Sequence, residues 1–311
     1  MKERSWTRLS AVAFLAAVVL RASAGAAGGQ SAPAPLARGW GWLLASGIAS
    51  GVDLGARTVT VAVTGEGQAA VFDGGANWRQ RPVSGTEVVR LLPAAVIADA
   101  DREPVALAAL RTGTPVVVWG AVRPDASVLG LTLMMPQFRA RPAAAPAIAP
   151  PPGISGVVIR SLGDVLELLT PRGARRSVIV TGATAVRSSG GEYQSAGTGG
   201  GPPVIAPFDL IKVEGTVNSD GSIASTHIAI ELAAADAAHV SGAVSRSFGD
   251  VEGLVVGGVL VAASRETYVI RGIDPAAFGG LAPGQPVTIY GTPISMGSVP
   301  IGLRARLIVE H

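Results

Sequence analysis

Few residues in this sequence are of a type that does chemistry, and their spacing excludes most of what they could do. There is no cysteine, so thiol nucleophiles, thiolate metal sites and disulfides are absent. The three histidines, His227, His239 and His311, are too far apart for a local metal-binding motif, and each reads as a surface residue. After Lys2 the next lysine is Lys212, between Ile211 and Val213, so no phosphate loop with Gly-Lys-Ser/Thr exists. No Gly-x-Ser-x-Gly elbow is present either. Val178-Ile179-Val180-Thr181-Gly182-Ala183-Thr184 imitates the start of a dinucleotide fold. The later glycines of the fingerprint are missing, and Ser189-Gly190-Gly191 cannot open the helix that a pyrophosphate needs, so this stretch reads as a strand. Asp73, Asp99 and Asp101 are the carboxylates a hydrolase would draw on, and they read as loop residues. The expectation is a protein that is not an enzyme, with no catalytic residue, no cofactor and no metal.

Two constellations remain. The segment Ser155–Val165 recurs as Ser241–Val251, sharing S-G-x-V-x-R-S-[LF]-G-D-V, with Gly156 and Gly242 86 positions apart. It places Arg160 near Asp164 and Arg246 near Asp250. These are either a repeated rim for an anion or a partner, or a charge pair across a turn in which Gly163 and Gly249 supply a positive φ. The second constellation is aromatic. Trp40, Trp42, Trp78 and Trp119 are four of the five tryptophans, and Arg79 and Arg81 flank Trp78. Trp78, Arg79, Arg81 and Trp119 are the candidate ligand face, where indoles stack on sugars or bases. Packing between domains is the competing explanation.

The elements that would position these residues are short strands. Internal repetition sets the unit of architecture, and three units end alike. Each has a strand reading [VI]-x-[VI]-x-G (Val116–Gly120, Ile211–Gly215, Val287–Gly291), then a turn and an alternating strand. Alternation points Leu129, Leu131 and Leu133 inward in the first unit, and Ile228, Ile230 and Leu232 in the second. In the third it selects Leu303, Ala305, Leu307 and Val309. Short helices are expected at Pro104–Leu110 and at Asp274–Gly280, where Asp precedes Pro. Five strands in roughly 75 to 95 residues, with a connector between the third and fourth, fit an all-β chain of three tandem five-stranded OB-like Greek-key barrels. The boundaries are 40–138, 153–232 and 233–311.

These units resemble the uncharacterised OB-like β-barrel repeat domains of exported bacterial proteins. The resemblance rests on Gly156-x-Val158 and Gly242-x-Val244, on Thr184-x-Val186 and Thr267-x-Val269, and on the [VI]-x-[VI]-x-G strand. It covers the second and third units well and the first poorly, where residues 65–110 are longer and irregular. It implies a repeated barrel fold and no catalytic residue.

Composition supplies the setting. Lys2, Arg4 and Arg8 precede the apolar run Leu9–Leu20, and Ala22-Ser23-Ala24 offers a cleavage site, so residues 1–24 read as a signal peptide. A retained anchor is the alternative, although twelve residues make a helix of about 18 Å against a hydrocarbon core of about 30 Å. Four of the 25 bases (Lys2, Arg4, Arg8, Arg21) and one of the 22 acids (Glu3) lie in that segment, leaving 21 of each. A balanced chain lacks the basic surplus of a nucleic-acid binder. Residues 25–39 read as a flexible tether, 139–152 as a Pro/Ala-rich spacer, and Ser188–Pro207 as a low-complexity loop. The expected protein is periplasmic or extracellular, a binding or scaffolding module with an envelope protein or polymer as partner. A carbohydrate- or cell-wall-binding module using the Trp-rich first unit is the alternative.

Overall fold

The structure is a computed structural model, and it describes residues 37–74, 77–139, 153–188, 194–195, 204–296 and 299–311. The expected signal peptide, most of the tether, the spacer from 140 to 152 and much of the 188–207 loop lie outside these residues. The described chain is all-β. Its helical turns are three-residue 3-10 turns at Leu107–Ala109, Gly249–Val251 and Phe278–Gly280. The two expected helices are therefore corrected. Pro104–Leu110 holds one such turn, and Asp274–Pro275 pairs as a short strand before the turn at Phe278–Gly280. Ala277, not Asp274, precedes that turn, and the Asp274 carboxylate is instead bound by Arg175 at 2.5 Å.

Each sheet is confined to one stretch of sequence. The first comprises β1 (Gly41–Asp53), β2 (Thr58–Gly74), β3 (Asn77–Arg81), β4 (Thr86–Asp99), β5 (Pro115–Val122) and β6 (Val128–Met135). The second comprises β7 (Ile154–Leu162), β8 (Val165–Leu169), β9 (Arg175–Ile179), β10 (Ala185–Arg187), β11 (Gln194–Ser195), β12 (Leu210–Val217) and β13 (Ile223–Leu232). The third comprises β14 (Ala238–Phe248), β15 (Gly253–Val256), β16 (Val259–Ala262), β17 (Tyr268–Arg271), β18 (Asp274–Pro275), β19 (Pro286–Met296) and β20 (Val299–Glu310). Pairing runs round in rings: β1-β2-β4-β6-β5, β7-β8-β9-β13-β12 and β14-β15-β16-β20-β19, each returning to its first strand. One pair per ring is parallel, namely β4 with β6, β9 with β13, and β16 with β20.

The repeated glycine explains the end of each unit. Gly120, Gly215 and Gly291 sit where the register slips by one residue, so Leu131, Thr226 and Arg306 are extra on the facing strand. A Cβ on these glycines would lie 2.2, 2.1 and 2.0 Å from the carbonyl oxygens of Leu129, Ala224 and Arg304. Only a residue without a side chain permits that approach. The bulge also inverts which side chains face inward. In the first unit Leu133 joins the interior with Val128 and Met135, while Leu129 and Leu131 lie in a separate outer layer. In the third, Leu303, Ala305 and Ile308 are interior, and Leu307 and Val309 are outside. In the second, Ile228 and Ile230 are interior, whereas Leu232 packs outside. Simple alternation is thus overturned by this bulge for Leu129, Leu131, Leu307 and Val309, and for Leu232 by a second slip between Leu210 and Ile211 that makes Glu231 extra.

The Thr-x-Val motif is structural too. Thr184 Oγ1 accepts the Thr181 N–H at 2.9 Å and donates to the Ser225 carbonyl at 3.0 Å. Thr267 Oγ1 accepts from Ser264 N at 2.9 Å and donates to the Ala305 carbonyl at 2.8 Å. Each hydroxyl ties a turn to the strand opposite the bulge glycine.

The units do not stand apart on spacers as separate barrels. They stack, and the third lies between the first and the second. Three apolar interiors, one per unit, alternate with two shared layers. The first layer joins Trp42, Trp119, Leu129 and Leu131 of unit one to Phe248, Val255, Leu260 and Ile301 of unit three. The second joins Val157, Ile159, Leu169 and Leu210 of unit two to Tyr268, Ile270, Leu307 and Val309 of unit three. Each buried aliphatic or aromatic side chain contributes about 1.5–3 kcal/mol, so these layers hold the units as one body.

Candidate functional site

Of the hollows on the seams between units, two bear on the site. The larger, of about 590 Å³, opens where all three meet. Unit three supplies Arg265 and Glu266, carried by the turn that Thr267 pins, Tyr268 at the start of β17, and Arg306, the extra residue of the β20 bulge. Unit two adds Ser155, Pro171 and Glu231, and unit one adds Glu103 and Pro104. Ion pairs bind the seams: Arg265 meets Glu103, and Arg306 meets Glu231 at 3.3 Å. Arg175 adds a further tie between units two and three, and Arg102 holds Glu252 of unit three at 2.5 Å. Tyr268 is 8% exposed. Burial, and then the neighbouring Glu231 carboxylate, push its phenol up to about 12. The hydroxyl therefore stays protonated, a hydrogen-bond donor at any ordinary pH.

The smaller hollow, of about 100 Å³, lies between the β3 hairpin and unit three. Trp42, Trp78, Gln80, Ser245 and Arg246 line it, and the Arg246 guanidinium sits 5.0 Å from the centre of the Trp42 ring.

Set against these hollows, the sequence-predicted residues separate. Trp119 is fully buried. Its indole lies on Gly253, where a Cβ would come within 2.9 Å of the ring, so it is not open to a ligand. Trp78 is half-buried, 5.4 Å from Phe72, and packs on the same layer. Arg79 is exposed, and Arg81 is ion-paired with Glu87 at 3.2 Å. Trp78 alone of the four lines a hollow among the described residues.

Arg160 and Asp164 are both exposed and form no ion pair with each other. Arg160 stands opposite Glu167, which is held by Arg175 at 3.3 Å. Gly163 has φ +63°, but in the third unit the left-handed residue is Glu252, not Gly249. Asp250 contributes its backbone to the turn there. Asp99 is buried and caps its own loop, accepting the N–H groups of Asp101 and Glu103 at 2.9 and 3.0 Å. Asp73 is exposed but lies within β2, and Asp99 ends β4, so neither is the loop residue expected; Asp101 lies 3.6 Å from Arg139. Among the described residues no group of three or more His, Asp or Glu is placed to hold a metal ion, and no helix is long and apolar enough to cross a membrane.

The groove residues Glu103, Arg265, Glu266 and Tyr268 carry no motif. They come from two units and converge with Glu231 and Arg306, the extra residues at two register slips, only through stacking.

No family model matches the chain, and no curated protein matches it. Among solved structures it is similar to a multidomain protein with nucleic acid binding domains from Streptococcus pneumoniae. Identity is 11% over 84% of this chain and 72% of that one, with a TM-score of 0.18. A likeness that low carries no argument about fold or function.

Proposed function

We propose that this chain is an exported, non-catalytic binding protein of the cell envelope, in which three OB-type barrels act as one stacked scaffold and hold a partner at their junction. The observation that carries it is the groove of about 590 Å³ that exists only when all three units are in place. Its size is that of a ligand cleft, about 300–1,000 Å³. The OB reading is supported by ring order, first-second-third-fifth-fourth, with the third and fifth strands parallel in each unit. Export is supported by the basic, apolar and small-residue order of residues 1–24. The balanced charge that remains supports a partner other than nucleic acid. The carbohydrate reading is not carried further: unit three covers Trp42 and Trp119, and the hollow beside Trp78 is only about 100 Å³.

Because the chain has no cysteine, one introduced thiol is unique. Ser155→Cys, labelled with a photo-crosslinker in intact cells, is expected to trap an envelope component, and adding Tyr268→Ala is expected to reduce the yield several-fold. Equal yields with and without Tyr268, or no adduct from a folded and exported protein, would overturn the reading.

A further inference from the structure

The repeated eleven-residue segment has two fates, and the difference points to an interaction surface. Residues two apart on a strand share a face, so Arg246 and Phe248 project together from β14. Phe248 is 6% exposed, with its ring centre 4.9 Å from that of Trp42 and 6.0 Å from that of Trp119. Arg246 covers the other part of the Trp42 ring at 5.0 Å. Trp42 and Trp119 lie diagonally on neighbouring strands, since Leu44 is the residue opposite Trp119. A guanidinium over an indole and an apolar knob between two indoles together make the contact by which unit three receives unit one.

Unit two carries the same device on β7. Arg160 matches Arg246 and Leu162 matches Phe248, each just after an extra residue in its strand, Ile159 or Ser245. Here no described residue covers it. Leu162 is 62% exposed, and Arg160 is exposed and makes no hydrogen bond or ion pair with a described residue. The acid opposite it, Glu167, is engaged by Arg175. The rest of the β7 face, Val157 and Ile159, is buried against unit three, so the tip is the part left open.

We propose that the Arg160–Leu162 tip is an open docking site for a partner protein that presents tryptophan on a β-sheet surface, as unit one presents Trp42 and Trp119 to unit three. One leucine is too little apolar surface to hold a lipid bilayer, whereas it suffices to seat against an indole that Arg160 covers. The site is separate from the three-unit groove and stands whether or not that groove binds anything.

The test uses the full chain with methyl-labelled leucines and a soluble β-hairpin peptide bearing two diagonal cross-strand tryptophans. The same hairpin with alanine at both positions is the control. The tryptophan peptide is expected to move the Leu162 methyl signals upfield, saturably, and the alanine peptide to leave them in place. Arg160→Gln is expected to weaken binding about two- to fivefold, the loss of one exposed cation–π contact. Leu162→Asp, at an exposed position that leaves the fold intact, is expected to abolish it, and Leu162→Phe to tighten it. An unmoved Leu162, equal response to both peptides, full binding by Arg160→Gln, or binding only to anionic lipid vesicles would each overturn the proposal.

Discussion

At the scale of single residues, the same side-chain type has opposite fates in different units. Trp119 and Tyr290 occupy the same place before the bulge glycine. The first is fully buried against unit three, and the second packs half-buried on the layer toward unit two. Glu214 takes that place in unit two, and a charged residue there suits the open end of a stack. Burial in the second layer sets a pH limit. The Tyr268 phenol titrates near 12 when folded, against about 10 in an unfolded chain. Below pH 10 it is neutral in both states and the full stability is present. Between about pH 10 and 12 only the unfolded chain ionises it, so stability falls with rising pH. Urea midpoints measured across that window should drop for the natural chain and drop less for Tyr268→Phe, with Tyr290, also raised by burial, accounting for part of the residue.

At the scale of elements, the bulge is the device that makes each unit two-sided. A single extra residue on the last strand shifts every second side chain from the interior to a shared layer, as Ala305 and Leu307, two apart across it, show. The glycine facing that bulge is its requirement. Gly291→Ala would put a methyl 2.0 Å from the Arg304 carbonyl. Relieving that clash is expected to cost about 1–3 kcal/mol or more, read as a lower urea midpoint at an unchanged slope. Gly279→Ala, where a methyl meets nothing within 4 Å, is the control and should leave the midpoint nearly unchanged. The glycines and the Thr-x-Val pairs were visible as repeats in the sequence. That one marked a bulge and the other pinned a turn was not, because both roles depend on the carbonyl of a distant strand.

At the scale of the molecule, chain order and spatial order differ. The first unit docks on the third, and Gly253 is the flat place that lets Trp119 lie down. Gly253→Val is expected to separate unit one from unit three while each keeps its own interior. Small-angle scattering should then report a larger radius of gyration, and Trp emission should shift to the red as Trp42 and Trp119 meet water. A scattering curve identical to that of the natural chain would show that the layer tolerates the change. Separation would also dismantle the groove, since Glu103 and Pro104 would leave with unit one.

The amino-acid sequence by itself determined that this is a chain of short strands in three repeated units, because strand alternation, turn residues and repeated glycines act between near neighbours. It also determined that the tryptophans gather in the first unit. Only the tertiary structure decided that two of them are buried under unit three, that alternation inverts past each bulge, and that Glu103, Glu231, Tyr268 and Arg306 line one hollow. These outcomes rest on apolar faces meeting across long separations in sequence, where burial depends on which surfaces fit together and no local pattern records the choice.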